Sequence, residues 1–353
     1  MSKQHPTDVH YRDVKSIMEP YAPFTPSFQK TLQGDCVAKG IGMRNRGFGT
    51  INMKETIPEG STIYKAFLYW AVLRLDFQAV NARGVCNGVP ITGESIASSI
   101  APSCGNAGSM DVFRADVTGI ATDGLNILTG FPSGDTDSSS PLVKATFPLL
   151  EGASLILIFT NPNSMLKNII IHDGGVTFCN HTVSTTFSNF QIAESPEAKT
   201  FYIVAGSQAT SPGHQAICNN VVVAGPTANL RSSNAFNGQD GINAGIDPST
   251  GLWDTLEVDV SPVVHPGDRS VLTAVAASHA EENRLTYIAQ AFSVNVSPCP
   301  MLQSILHIEQ ALTDVLQETI ESGDMQAIEN TLKLVIQKEI LFDSLLEEYN
   351  DGS

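Results

Sequence analysis

The sequence predicts a mainly β protein: two tandem β-sandwich, jelly-roll-like domains followed by a C-terminal α-helical hairpin. Three observations predict it. Short runs rich in Ile, Val, Tyr and Phe alternate with Gly, Pro and Asn turn signals and no helical period between residues 46 and 298. Sequence blocks recur there in the same order. From Pro300 the apolar spacing changes to that of amphipathic helices.

Residues 1–45 read as an extended N-terminal arm. Pro20-Tyr-Ala-Pro-Phe-Thr-Pro26 cannot be helical, because each proline fixes φ and biases the residue before it towards extended backbone. It lies across its own first sandwich or connects to a neighbouring subunit. Residues 46–178 form the first module and 179–298 the second. Lys65-Ala-Phe-Leu-Tyr-Trp-Ala71 matches Lys199-Thr-Phe-Tyr-Ile-Val-Ala205. Cys86-Asn-Gly-Val-Pro-Ile-Thr-Gly93 matches Cys218-Asn-Asn-Val-Val-Val-Ala-Gly225. Asp111-Val-Phe-Arg-Ala-Asp-Val-Thr118 matches Asp254-Thr-Leu-Glu-Val-Asp-Val-Ser261. Each module closes on an apolar run, Ala153–Thr160 and Leu285–Val296. Between strands, Ser95–Ser109, Phe131–Pro141 and Asn229–Leu252 are polar, Gly- and Ser-rich, and read as long loops of the kind that carry binding function.

Residues 299–353 form an acidic helical hairpin. Ile305, Ile308, Leu312 and Val315 stripe a first helix, Gly323 stops it, and Ile328, Leu332 and Val335 begin the stripe of a second. With two lysines against eleven acids, this tail carries −9 of the chain's −16. A lone hairpin buries its stripes poorly, so it packs on the sandwiches or on another chain. Self-association through the hairpin or the arm is the expected partnership.

Composition removes several classes of function. Lys and Arg number 20 against 36 Asp and Glu, which leaves nothing to replace the counterions around phosphates, so no nucleic acid is expected. No apolar run reaches the roughly 20 residues of a membrane helix, so no membrane insertion is expected either. The first ten residues show no signal-peptide pattern, which predicts synthesis in the cytoplasm and arrival at a spore or cell surface, if any, through assembly or lysis. Cysteines 36, 86, 104, 179, 218 and 299 form no CxxC pair. They are expected as reduced core thiols, the alternative being up to three disulfides with Cys86–Cys104 as a candidate.

Motifs for chemistry are scarce. Gly-x-Ser-x-Gly, a P-loop and HExxH are all missing, and the chain is expected not to be an enzyme. Asp116 and Asp259, at matched strand ends, are expected in turn hydrogen bonds. No cofactor is expected, with calcium at Asp135, Asp137 or Asp240 as an alternative, since these loops offer hard oxygen ligands without completing a set. Lys65 with Asn161, and Lys199 with Asn295, are ordered as an intramolecular isopeptide would need. Trp253, Asn237 and Asp240, beside a long loop, are the candidate glycan-binding residues; Trp70, inside an apolar strand, is expected in the core.

The run Ile57-Pro-Glu-Gly-Ser-Thr-Ile-Tyr-Lys-Ala-Phe-Leu-Tyr-Trp70, with Asn87-Gly88 and Phe113-Arg-Ala-Asp-Val-Thr118, resembles a poorly characterised prokaryotic surface-protein family. Phe236-Asn-Gly238, Trp253-Asp-Thr255 and Asp259-Val-Ser261 are similar to that family's second module. The resemblance covers about residues 46–296. It implies β-sandwich modules of adhesin-like proteins and transfers no catalytic residue. The acidic tail departs from the pattern, as do the missing secretion signal and cell-wall anchor. The leading expectation is therefore a non-enzymatic structural or adhesive protein, surface-bound or self-assembling, in the manner of a spore coat. A carbohydrate-binding, lectin-like protein is the alternative, and a toxin or effector without a signal peptide is a third reading.

Overall fold

The computed structural model describes residues 24–100, 108–135, 146–207, 213–225, 234–238, 240, 252–278, 284–297, 312, 314–323 and 325–337. Residues 1–296 form one compact unit and 297–353 another.

Among the described residues, seventeen strands build the first unit. They are β1 (Thr25–Gly42), β2 (Gly49–Asn52), β3 (Thr62–Arg74), β4 (Arg83–Cys86), β5 (Val89–Thr92), β6 (Glu94–Ile100), β7 (Ser109–Asp116), β8 (Leu125–Thr129) and β9 (Leu149–Thr160). There follow β10 (Leu166–Phe178), β11 (Thr182–Ser188), β12 (Ala198–Ala205), β13 (Gln215–Cys218), β14 (Val221–Ala224), β15 (Trp253–Asp259), β16 (Ser270–Ala276) and β17 (Leu285–Asn295). One sheet runs β15-β12-β17-β10-β1-β9-β3-β7-β6; two smaller sheets run β2-β8-β4-β5 and β11-β16-β13-β14. The fold is mainly β with two C-terminal helices, and its sheets are not closed into barrels.

The internal repeat is a structural duplication. The order β1-β9-β3-β7 in one sandwich is the order β10-β17-β12-β15 in the other, and the small sheets match strand for strand. The repeated blocks in the sequence are β3 and β12, the hairpins β4–β5 and β13–β14, β7 and β15, and the closing strands β9 and β17. The duplication places β10 with the second sandwich, where it pairs with β17.

β1 joins the two halves. Thr25–Gln33 pairs with β10, and Gly34–Gly42 pairs with β9. The long sheet bends there, and its two halves pack face to face. Four layers result, enclosing three cores. Ile51, Trp70 and Leu128 belong to the core of the first sandwich. Phe187, Tyr202 and Phe292 belong to that of the second. Between them, Tyr69, Ile156 and Val112 of one half meet Ile171, Phe201 and Trp253 of the other. β9 and β17 are buried along nearly their whole length because both faces meet a core, whereas β11 alternates exposed and buried.

In the second unit, helical residues 314–322 (α1) and 325–337 (α2) flank Gly323, whose φ of +71° ends α1 as the sequence predicts.

Two expectations change. Cys86 is a free, buried thiol, so the Cys86–Cys104 disulfide does not form; Cys104 lies outside the described residues. Burial in the sandwich cores pushes the Cys86 thiol up and that of Cys218 up to about 12, so both behave as small apolar groups. Trp253 is wholly buried, its indole against Gly152 and its Nε1 donating to Ser154 Oγ at 2.8 Å. It presents no platform to a sugar, because the face-to-face packing of the sheet halves covers it.

Candidate functional site

The long connections of both sandwiches leave from one end of the first unit. β3 ends beside the start of β9, where Leu73 pairs with Leu149. Trp253, the first residue of β15, touches Gly152 of β9, so the second sandwich turns its loop-bearing end the same way. Ser99 near the end of β6 and Thr177 near the end of β10 confirm this alignment, their hydroxyls 2.6 Å apart. The ends of β3, β6, β8 and β12 and the starts of β7, β9, β13 and β15 thus gather at one pole.

One turn on this pole stands out. Phe77 is fully exposed, and its φ is +63°. A bulky side chain in the left-handed region is uncommon, because its Cβ crowds the backbone. The turn is held rigidly around it. Gln78 N donates to Leu75 O at 3.2 Å, Leu75 N donates to Gln78 Oε1 at 3.1 Å, and Gln78 Nε2 donates to Phe147 O at 3.2 Å. Arg74 Nε donates to Asp111 Oδ2 at 2.6 Å, and Ser98 Oγ to Asp111 Oδ1 at 2.7 Å, tying the base of the turn to β7 and β6. Gly108 N donates to Arg74 O at 2.8 Å, and a Cβ at Gly108 would lie 2.0 Å from Asp76 Oδ1, so only glycine lets the neighbouring loop close on the turn. At the same end, exposed Phe48 lies under the guanidinium of Arg46, 5.5 Å from the ring centroid. Beneath that loop Arg44 and Glu151 form a fully buried ion pair; burial holds the Glu151 carboxyl above its ordinary value although Arg44 opposes it.

Charged clusters seam the two sandwiches at other points. Asp173 accepts from Tyr69 Oη at 2.7 Å, from Ser27 Oγ at 2.8 Å and from Arg114, which also binds Glu94 at 2.8 Å. Burial lifts the Asp173 carboxyl above its usual range, and its donors only partly offset that. Three donors from three strands make Asp173 a clasp and leave it poorly placed to take a proton from a substrate. At the opposite pole, Lys167 and Lys199 meet Asp35 at 2.9 and 3.2 Å, and Ser293 Oγ donates to it at 2.6 Å. Burial would raise the Asp35 carboxyl, but the two lysines hold it below its ordinary value.

The structure brings some of the sequence-selected residues together. Asp240 and Thr255 both lie over Gly40, where a Cβ would come within 2.2 Å of each, and Gly238 N donates to Asp254 Oδ2 at 2.7 Å, so Asn237 and Asp240 stand near Trp253 at the sandwich junction. It does not join the isopeptide pairs. Lys65 meets Asp116 at 2.6 Å, while Asn161 Nδ2 donates to Glu59 O and Ser61 Oγ. Lys199 meets Asp35, while Asn295 Nδ2 donates to Ser195 O. Asp116 and Asp259 take the same turn bonds, from Thr118 and from Ser261. Among the described residues no cluster of three or more His, Cys, Asp or Glu could hold a metal ion, and Asp137 lies outside them. Sequence reasoning missed Phe77; its signal is an aromatic between Asp76 and Gln78 in a stretch with no apolar period.

No protein-family model matches the chain, and no curated protein is similar to it. Among solved structures it is similar to BuGH86 in complex with neoagarooctaose, as a point variant (TM-score 0.24) and as the wild type (TM-score 0.26). Identity is 10% in both; the match covers 75% and 76% of this chain and 35% of the other, so the chain spans about a third of those proteins. These neighbours are glycoside hydrolases, and the expectation that the chain is not an enzyme is withdrawn on that finding. At such TM-scores the likeness assigns no reaction.

Proposed function

We propose that the chain is a carbohydrate-binding protein whose site lies on the loop-bearing pole around Phe77. The observation that carries this reading is the fully exposed Phe77 ring, held on a braced turn in a backbone conformation that costs about 1–2 kcal/mol for a non-glycine residue. An aromatic side chain gains stability by burial, so one displayed rigidly in water is suited to burial against a ligand. A flat ring offers its face to the C–H groups of a sugar, a contact that suits a neutral, hydroxyl-bearing ligand better than a charged one. The display of such modules on a surface, which the family resemblance implies, fits the same reading.

Binding of the purified full chain to a glycan array, with neoagarooctaose among the probes, tests it. At least one glycan class is expected to bind, with affinity falling tenfold or more in Phe77→Ala. An array without binders, or binding equal in the two proteins, would refute the proposal.

A further inference from the structure

The loop-bearing pole carries a second exposed aromatic. Phe48 stands on the turn that leads into β2, just ahead of Gly49, which pairs with Leu128 near the end of β8. The Arg46 guanidinium lies over one face of its ring, yet the residue is still 58% exposed. The turn is closed tightly: Arg46 N donates to Met43 O at 3.1 Å, and a Cβ at Gly47 would lie 2.6 Å from Phe131 O. Hydrogen-bonded segments join it to the Phe77 turn. Gln78 Nε2 donates to Phe147 O, Gly134 N donates to Pro148 O, and Phe131 N donates to Gly47 O. Three such steps, at the usual spacing of neighbouring extended segments, set the turns roughly 15 Å apart. Beneath the Phe48 turn, the buried pair of Arg44 and Glu151 leaves Arg44 Nε and Nη1 and Glu151 Oε2 without a hydrogen bond among the described residues. Apolar side chains would hold a turn that merely joins β1 to β2 at least as well as an ion pair left partly unpartnered.

We infer that Phe48 and Arg46 form a second subsite, and that the ligand of this pole is an extended neutral polysaccharide lying across both turns. The inference rests on the carbohydrate-binding reading of Phe77 and deepens it. Rings that far apart do not stack on one sugar. A chain of several sugars reaches both, with one unit against Phe77 and a later one against the face of Phe48 that Arg46 leaves open. Arg46 carries N–H donors and no acceptor, so at the edge of that sugar it donates to hydroxyl or ring oxygens. Charge decides between neutral and acidic chains, because a protein of −16 repels a polyanion along its length, whereas a neutral chain meets no such barrier. The two contacts reinforce each other, since the second forms at the effective concentration set by the first.

Binding of the full chain to neutral oligosaccharides of the cello, xylo, manno, chito and neoagaro types, and to acidic oligogalacturonates, each from disaccharide to octasaccharide, tests this. The wild type is expected to bind a neutral series with affinity rising tenfold or more along it. Phe48→Ala should lose most of that rise while binding the disaccharide like the wild type, Arg46→Gln should lose part of it, and Phe77→Ala should weaken every length. Phe48 lies outside the cores, so its removal should leave the circular dichroism spectrum unchanged. Tyr64→Ala, at an exposed aromatic near the start of β3 and so at the opposite end, should behave as the wild type. Affinity independent of length, a rise that Phe48→Ala retains or Tyr64→Ala also loses, or selection of the oligogalacturonates overturns the inference and leaves the Phe77 reading standing. An absence of binding to every series overturns both.

Discussion

Phe77 combines two costs that a folded chain ordinarily avoids, a left-handed backbone under a bulky side chain and an uncovered ring. Asn tolerates that backbone far better, as Asn45, Asn87, Asn180 and Asn219 all show with φ between +47° and +63°. Phe77→Asn should therefore raise stability by about 1 kcal/mol while removing glycan binding, a trade between stability and function that urea denaturation and array binding measured on the same protein will reveal. At this scale the sequence was a partial guide. Trp70 reads as core from its apolar strand, and it is buried. Trp253 reads as a surface platform because it adjoins a polar loop, yet the packing of one sheet half on the other, which has no local signature, buries it. Gly152 is the visible trace of that packing, since a Cβ there would lie 2.6 Å from the Trp253 ring.

Among the elements, the matched hairpins β4–β5 and β13–β14 show how duplication preserves physics where residues differ. Asn87 and Asn219 both hold positive φ, both accept an amide from the next strand across, and both donate Nδ2 to a main-chain carbonyl, Ile120 O or Val263 O. Asn87→Ala and Asn219→Ala should each cost about 2–4 kcal/mol, from lost side-chain hydrogen bonds (three at Asn87, whose Nδ2 also donates to Asn126 Oδ1 at 3.0 Å, and two at Asn219) and an Ala forced into left-handed backbone, and the two losses measured in urea should agree within about 1 kcal/mol. The repeat blocks, and so these hairpins, were legible because each maps to a strand or turn with its own chemistry. β1 was not. Its burial alternates irregularly because it serves two neighbours in succession, β10 and then β9, so neither a period of two nor an apolar run marks it.

For the molecule as a whole, two buried histidines weaken the fold as pH falls from neutrality. Burial lowers His172, which shares a hydrogen bond of 2.8 Å with Thr185, and His214, at the loop-bearing pole, to about 4 each. A histidine with a folded pKa below its unfolded value of about 6.5 is protonated first in the unfolded chain. The stability these two histidines contribute is therefore full above pH 6.5 and falls as pH drops from 6.5 to 4, by a few kcal/mol for the pair, while the Asp173 and Glu151 carboxyls, raised by burial, act in the opposite sense at the acid end. Urea midpoints measured across that range should drop, and His172→Gln should flatten the drop by roughly half. The four layers, their three cores and the shared pole arise from contacts between distant segments, which is why the sequence predicts two sandwiches but not how they meet. Hydrogen exchange of the full chain with and without its array-selected glycan tests the site most directly. Bound glycan should slow exchange at residues 74–78 and leave β2, β8, β11 and β16 unchanged. Protection confined to those outer strands or to the helical unit, with 74–78 unaffected, would contradict the account.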